Sequence, residues 1–235
     1  MRDFFAGIKT PFLVLGLLLL TGCAATPQPT VTLDANSPIT SNSSVSFFYA
    51  GPNPDKATTH IFGAGCLLCY GVAAGLTQTL DSHLEATIST DELSDIKETV
   101  LANLNGLAGD VVEVSQIDFD SLKSFDGGLG FAKKDFTSLK EQLGTDFLSV
   151  LSIYRHGAYR GFNSYFPTTD PQGHVAGILY TVDLTNNRLV QFLEFDERVQ
   201  PQGEWDEPPA FPSVTTSYYQ ATQNVKTTLN NHLVK

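Results

Sequence analysis

"HVAGILYTVDLTNNRLVQFLEFD", His174 to Asp196, holds two runs rich in branched and aromatic residues separated by "TNN", Thr185 to Asn187. That combination signals a β-hairpin. Side chains alternate across a strand, so Ala176, Ile178, Tyr180 and Val182 share one face of the first arm, while Gly177, Leu179 and Thr181 line the other. Both faces carry apolar residues, so helices are expected to cover part of the sheet.

Upstream of the hairpin, "TDFLSVLSIY", Thr145 to Tyr154, predicts a strongly apolar strand. The stretch "YRHGAYRGF", Tyr154 to Phe162, ends it in a glycine-bearing loop. Before it, Asp135 is expected to cap a helix over Phe136, Leu139 and Leu143, with Gly144 at its carboxyl end. Further upstream, "VSFFYA", Val45 to Ala50, predicts a first strand and "DVVEVSQI", Asp110 to Ile117, another. Between them, Leu76, Leu80, Leu84 and Ile88 recur every four residues as one helical stripe. Gly71 and Gly75 weaken the start of that helix or admit another backbone. A second helix begins near Ser89, whose spacing to Glu92 is that of a capping box. Leu93, Ile96, Val100 and Leu104 mark its buried side, and Asn105 and Gly106 suit its end. "FDGGLG" places an irregular connection over Asp118 to Lys133.

Downstream, four prolines from Pro201 to Pro212 exclude a helix. Ala221, Val225, Leu229 and Leu233 then mark the buried face of a last helix starting near Ser213. The expected fold class is α/β: a mixed β-sheet flanked by helices, closed by a C-terminal helix.

The amino terminus has its own pattern. Arg2 and Lys9 precede the apolar run "PFLVLGLLLL", Pro11 to Leu20. A basic start, a short apolar run and a small-residue exit describe a secretory leader. Ten residues rise only ~15 Å as a helix, short for ~30 Å of hydrocarbon. "LTGC", Leu20 to Cys23, resembles the bacterial lipoprotein processing box. That resemblance implies cleavage before Cys23 and lipid on its sulfur and amino group. Ala24, where inner-membrane lipoproteins often carry aspartate, implies sorting to the outer membrane, facing the periplasm. The expected organisation is a leader over 1–22, a flexible tether over 23–44 rich in Thr, Ser, Pro and Asn, and one α/β domain over 45–235. Val31 and Leu33 suit a short edge strand within the tether.

The chain carries 14 basic and 25 acidic residues, a formal charge of −11. Losing Arg2, Lys9 and Asp3 with the leader makes the balance more negative. An acidic chain of this kind is a poor nucleic-acid binder, because phosphate binding requires neutralising cations.

"LGTDFLSVLSI" and the hairpin resemble accessory lipoproteins whose fold is similar to the amino-terminal domain of TolB. Asp146 to Val150 hold the strand positions, and Tyr180, Val182 to Leu184 and Asn187 to Val190 those of the hairpin. The resemblance implies a non-catalytic part of an envelope machine that binds a protein partner and takes no cofactor.

Three features could carry chemistry. Cys66 and Cys69 form C-x-x-C, which suits a local disulfide, two small buried residues, a redox pair or half a metal site. A closed zinc site wants four ligands, and no second cysteine pair exists. Arg155, His156 and Arg160 could bind an anionic envelope component or neutralise an acidic domain. Trp205 and Phe211 could anchor a partner or pin the proline-rich loop. Asp206 and Glu207 are adjacent, without the carboxylate separation that sugar hydrolysis needs. The leading expectation is a non-enzymatic, lipid-anchored protein that binds an envelope protein, with Arg155, His156, Arg160, Trp205 and Phe211 as contact candidates. The alternatives are a thiol-disulfide protein using Cys66 and Cys69, and a purely structural envelope lipoprotein.

Overall fold

Twelve residues of one hairpin arm set the frame. Strand β6 (Gln172–Asp183) pairs antiparallel with β7 (Leu189–Val199), with Tyr180 opposite Phe192 and Gly173 opposite Val199. On its other edge β6 pairs antiparallel with β4 (Phe147–Asn163). The computed structural model describes residues 26–33, 37–52 and 55–233. The expected leader and Cys23 lie outside those residues. Strands β1 (Ser44–Pro52) and β2 (Thr58–Phe62) lie end to end along the free edge of β4, both parallel to it. Helices α1 (Leu67–Thr87) and α2 (Asp91–Leu107) lead to β3 (Asp110–Val114), which pairs parallel with β1. A 3-10 turn at Thr137–Leu139 runs into the single turn α3 (Lys140–Leu143). The two-residue β5 (Phe166–Pro167) folds back on β4, and α4 (Pro212–Leu233) closes the chain. The main sheet order is β3-β1-β4-β6-β7. This is a mixed sheet flanked by helices with a C-terminal helix.

The alternation read from the hairpin divides the core. Leu179 and Val175 face α1, α2 and α4, in a cluster with Phe47, Leu151, Leu84, Leu93, Val225 and Leu229. Tyr180 and Val182 face the other way, where Phe136, Leu139, Leu122 and Leu148 form a second, smaller cluster. The irregular segment between β3 and β4, and not a long helix, therefore covers the second face. Burying each such aliphatic side chain contributes about 1.5–3 kcal/mol.

Several local expectations are corrected. The tether expected over 23–44 is docked over much of its described length. Val31 exchanges backbone hydrogen bonds with Phe192 at 2.8 and 2.9 Å, and Leu33 and Ile39 are buried. The stripe of α1 is Cys69, Ala73, Thr77, Leu80 and Leu84, whereas Leu76 is exposed. A Cβ on Gly71 or Gly75 would meet nothing within 4 Å, so neither glycine admits a neighbouring backbone. Helix α2 has Thr90 as N-cap with no side-chain cap bond; Ser89 Oγ instead accepts from Asp91 N at 3.1 Å. The N-cap of the short turn is Phe136, not Asp135, whose Oδ1 one residue earlier accepts from Thr137 N and Oγ1 at 3.1 and 2.6 Å.

The main correction concerns "YRHGAYRGF", which is strand and not loop. Backbone partners lie on both edges, β2 on one and β6 on the other, so every amide from Gly157 to Tyr159 sits within a ladder. Gly157 makes this possible. Its φ is +120°, and a Cβ there would lie 2.3 Å from Thr58 O, an approach only glycine tolerates. The long strand carries the sheet well beyond β1 and creates a distal end with chemistry of its own.

Candidate functional site

At the distal end, no other segment among the described residues covers the face away from the helices, and its side chains pack on one another. His60 and Phe62 project from β2 beside Tyr159 of β4, His174 of β6 and Asp196 and Arg198 of β7. The Phe62 and Tyr159 rings stack at 4.7 Å. Arg198 lies 4.1 Å from the Tyr159 centroid and Arg155 lies 5.2 Å from that of Phe62. These are cation–π distances. Arg198 also grips Asp196 with two bonds of 2.8 Å, Nε to Oδ1 and Nη2 to Oδ2, which fixes the guanidinium plane over the ring.

His174 lies beneath this layer, fully buried, with its Nε2 3.1 Å from Asp196 Oδ1. Burial pushes its pKa down to about 4, overriding the nearby Asp196 carboxylate. The imidazole is therefore neutral at pH 7 and donates to Asp196. His60 is also held below its ordinary value, chiefly by burial, while donating through Nε2 to the His156 carbonyl at 3.1 Å. Tyr154 donates to Glu194 at 2.9 Å, its hydroxyl pushed up to about 12 by burial.

Next to this layer stands an apolar tip from two separate elements. Leu67 is 91% exposed and Leu68 67%, both in the first turn of α1, and Phe166 of β5 is 73% exposed. Tyr165 joins them, its hydroxyl 3.9 Å from Cys66 Sγ. From Leu67 to Leu80, α1 contains no charged residue in an otherwise acidic chain. The Cys66–Cys69 pair is joined in a disulfide, and Cys66 Sγ accepts from Cys69 N at 3.0 Å as the helix N-cap. Cys69 is buried and Cys66 exposed. The bridge holds the first turn, and hence Leu67 and Leu68, in place. The helix turns Cys69, Ala73, Thr77, Leu80 and Leu84 to the core, which leaves Leu67 and Leu68 on its outer side.

The expected contact residues divide. Arg155 belongs to the open face. His156, Arg160 and Phe211 are buried, so the expectation that they form an exposed contact surface is corrected. His156 points to the helical face of the sheet, its ring 6.4 Å from that of Tyr218. Arg160 donates through Nη1 to the Leu76 carbonyl at 3.2 Å and lies 4.6 Å from the Trp205 centroid. Burial lowers its pKa, partly offset by Asp170 and Asp206. Trp205 is half-buried against the main core, so Arg160 and Trp205 together pin the proline-rich loop. Phe211 packs 5.6 Å from the His83 ring. Sequence reasoning missed Phe62, Tyr159, His174 and Arg198, because they meet only once β2 pairs with β4.

Among the described residues no group of three or more His, Cys, Asp or Glu side chains is placed to hold a metal ion. Nor is any helix among them long and apolar enough to cross a membrane.

No family model and no curated protein matches this chain. Solved structures overlay on it loosely. Protein XCC0632 from Xanthomonas campestris is 13% identical with a TM-score of 0.38, covering 86% of this chain and 90% of that one. The PelC dodecamer from Paraburkholderia phytofirmans is 9% identical with a TM-score of 0.36, covering 89% and 95%. Lipoprotein GNA1162 from Neisseria meningitidis is 12% identical with a TM-score of 0.26, covering 77% and 99%. Overlays this loose carry no function from those proteins to this one.

Proposed function

We propose that this chain is a non-enzymatic accessory lipoprotein of the bacterial envelope, held on the periplasmic face of the outer membrane through lipid on Cys23. Its distal end is the surface that binds a protein partner. The observation that carries this reading is the exposure of Leu67, Leu68 and Phe166 beside the layer of Arg155, Phe62, Tyr159 and Arg198. Exposed apolar side chains gathered from separate elements mark interaction surfaces. Aromatic and arginine side chains supply most of the energy in such contacts. The "LTGC" step supports the anchor. The strand and hairpin residues that resemble accessory lipoproteins support a fold like the amino-terminal domain of TolB. Tethering raises the local concentration of the domain near a membrane-bound partner, a gain that needs no chemistry.

The test has two readouts. The mass of the mature amino-terminal peptide reports acylation of Cys23. Affinity capture from gently solubilised membranes compares the lipidated wild type with Leu67→Ser/Leu68→Ser/Phe166→Ser. A partner retained by the wild type and lost by the triple variant, at unchanged thermal stability, is expected. An acylated protein whose bound partners are indifferent to the triple variant would overturn the assignment of the surface.

A further inference from the structure

A cavity of about 430 Å³ opens on the sheet face opposite the helices, at the end away from the distal tip. That is within the range of sites that hold small molecules, roughly 300–1,000 Å³. Phe119, Phe131 and Phe136 of the irregular segment form one wall, and Tyr180 and Phe192 of the hairpin form the other. The polar groups at its rim include Lys133 and Glu194. Lys133 is exposed and makes no ion pair among the described residues. An aromatic hollow with a polar mouth suits an aliphatic chain that enters from a polar head.

The third side of the cavity is the amino-terminal segment itself. Pro27 and Gln28 line it, Gln28 Oε1 accepts from Gly130 N at 3.1 Å, and Val31 is bonded to Phe192. Cys23 stands four residues before Pro27. Four extended residues span at most ~14 Å, so a group carried on Cys23 begins within reach of the mouth.

We propose that this cavity is the docking site for one acyl chain carried on Cys23. The inference rests on the lipid anchor described above and adds a second position for it. Burying methylenes among aromatic rings and burying them in a bilayer draw on the same effect, so a chain can exchange between the two. Covalent attachment keeps its concentration at the mouth high, which favours the chain's own lipid over free lipid. The hollow takes one chain, and durable anchoring needs more than one. Docking therefore loosens the hold on the membrane without ending it, and covers part of the lipid whenever the protein leaves the bilayer.

The full-length protein, produced in cells that process it, would carry a photoreactive benzophenone amino acid in place of Phe192. A second preparation would carry it at Lys133 on the exposed rim, where folding is least at risk, and a control at Glu98 on α2. After irradiation, mass spectrometry reads the mass added to each labelled peptide. The expected result is linkage of the 192 or 133 peptide to the acylated Cys23 peptide, absent from the 98 control. Linkage to membrane phospholipid alone, or no lipid adduct at either position while Cys23 is acylated, overturns the proposal and leaves the anchor standing. An unacylated amino-terminal peptide overturns both, and its mass distinguishes that outcome.

Discussion

Asn187 holds the two halves of the second core together through one side chain. It sits in the hairpin turn at φ 64° and is fully buried. Its Oδ1 accepts from Phe136 N at 2.9 Å, and its Nδ2 donates to the carbonyls of Ala132 and Lys134 at 3.0 and 2.9 Å. Asn187→Ala is expected to cost about 2–4 kcal/mol by urea unfolding, since it strands buried backbone groups. A loss below experimental error would show that the irregular segment does not depend on the turn. His174 gives a pH signature. Its folded pKa of about 4 lies below the ordinary 6.5, so its contribution is complete above pH 6.5 and is lost as pH falls from there toward 4. The expected slope is about 1.4 kcal/mol per pH unit. His60, held down in the same way, adds to that slope. His174→Gln keeps a donor toward Asp196 and should flatten the curve over this window; an unchanged slope would contradict the burial argument. The alternation of Ile178 against Leu179 was legible because period two is local. The role of Asn187 was not, because its partners lie in a segment with no period.

At the level of elements, two features carry predictions. The Cys66–Cys69 bridge closes a loop with a sequence separation of only 3. Loop-closure entropy then predicts that Cys66→Ser/Cys69→Ser costs about 2 kcal/mol, read as a lower thermal midpoint in the double variant. Loss of partner capture at temperatures where the variant remains folded would show in addition that the first turn presents Leu67 and Leu68. Phe211 anchors the proline-rich loop from a buried position, with Thr215 Oγ1 donating to its carbonyl at 3.0 Å. Phe211→Ala should cost about 3–5 kcal/mol, whereas a residue serving only as a partner contact would leave stability unchanged. The order of the long elements was legible from hydrophobic period, including the final helix and its face Ala221, Val225 and Leu229. The extent of β4 was not, because glycine and arginine discourage a strand unless both edges are paired. The first half of the α1 face was misread because Leu76 outranks Ala73 and Thr77 in hydrophobicity, whereas Leu80 and Leu84 further on are buried as read.

The whole molecule divides its surface unevenly. An acidic chain of formal charge −11 keeps an uncharged helical stretch and a cation–aromatic layer at one end of its sheet. Its amino-terminal segment is docked near the aromatic cavity at the other. That arrangement supports the proposal of a domain tied near a membrane that binds through its far end. The proposed binding end was not legible in the sequence: Phe62 and Arg155 are far apart in the chain and come together through the pairing of β2 with β4. Hydroxyl-radical footprinting tests the account most directly, comparing intact envelopes with the purified protein. Leu129, 55% exposed and outside the distal end, serves as the internal reference. The account predicts that Leu67, Leu68 and Phe166 are shielded in the envelope and oxidised after purification, with Leu129 equal in both; equal oxidation of all four would contradict it.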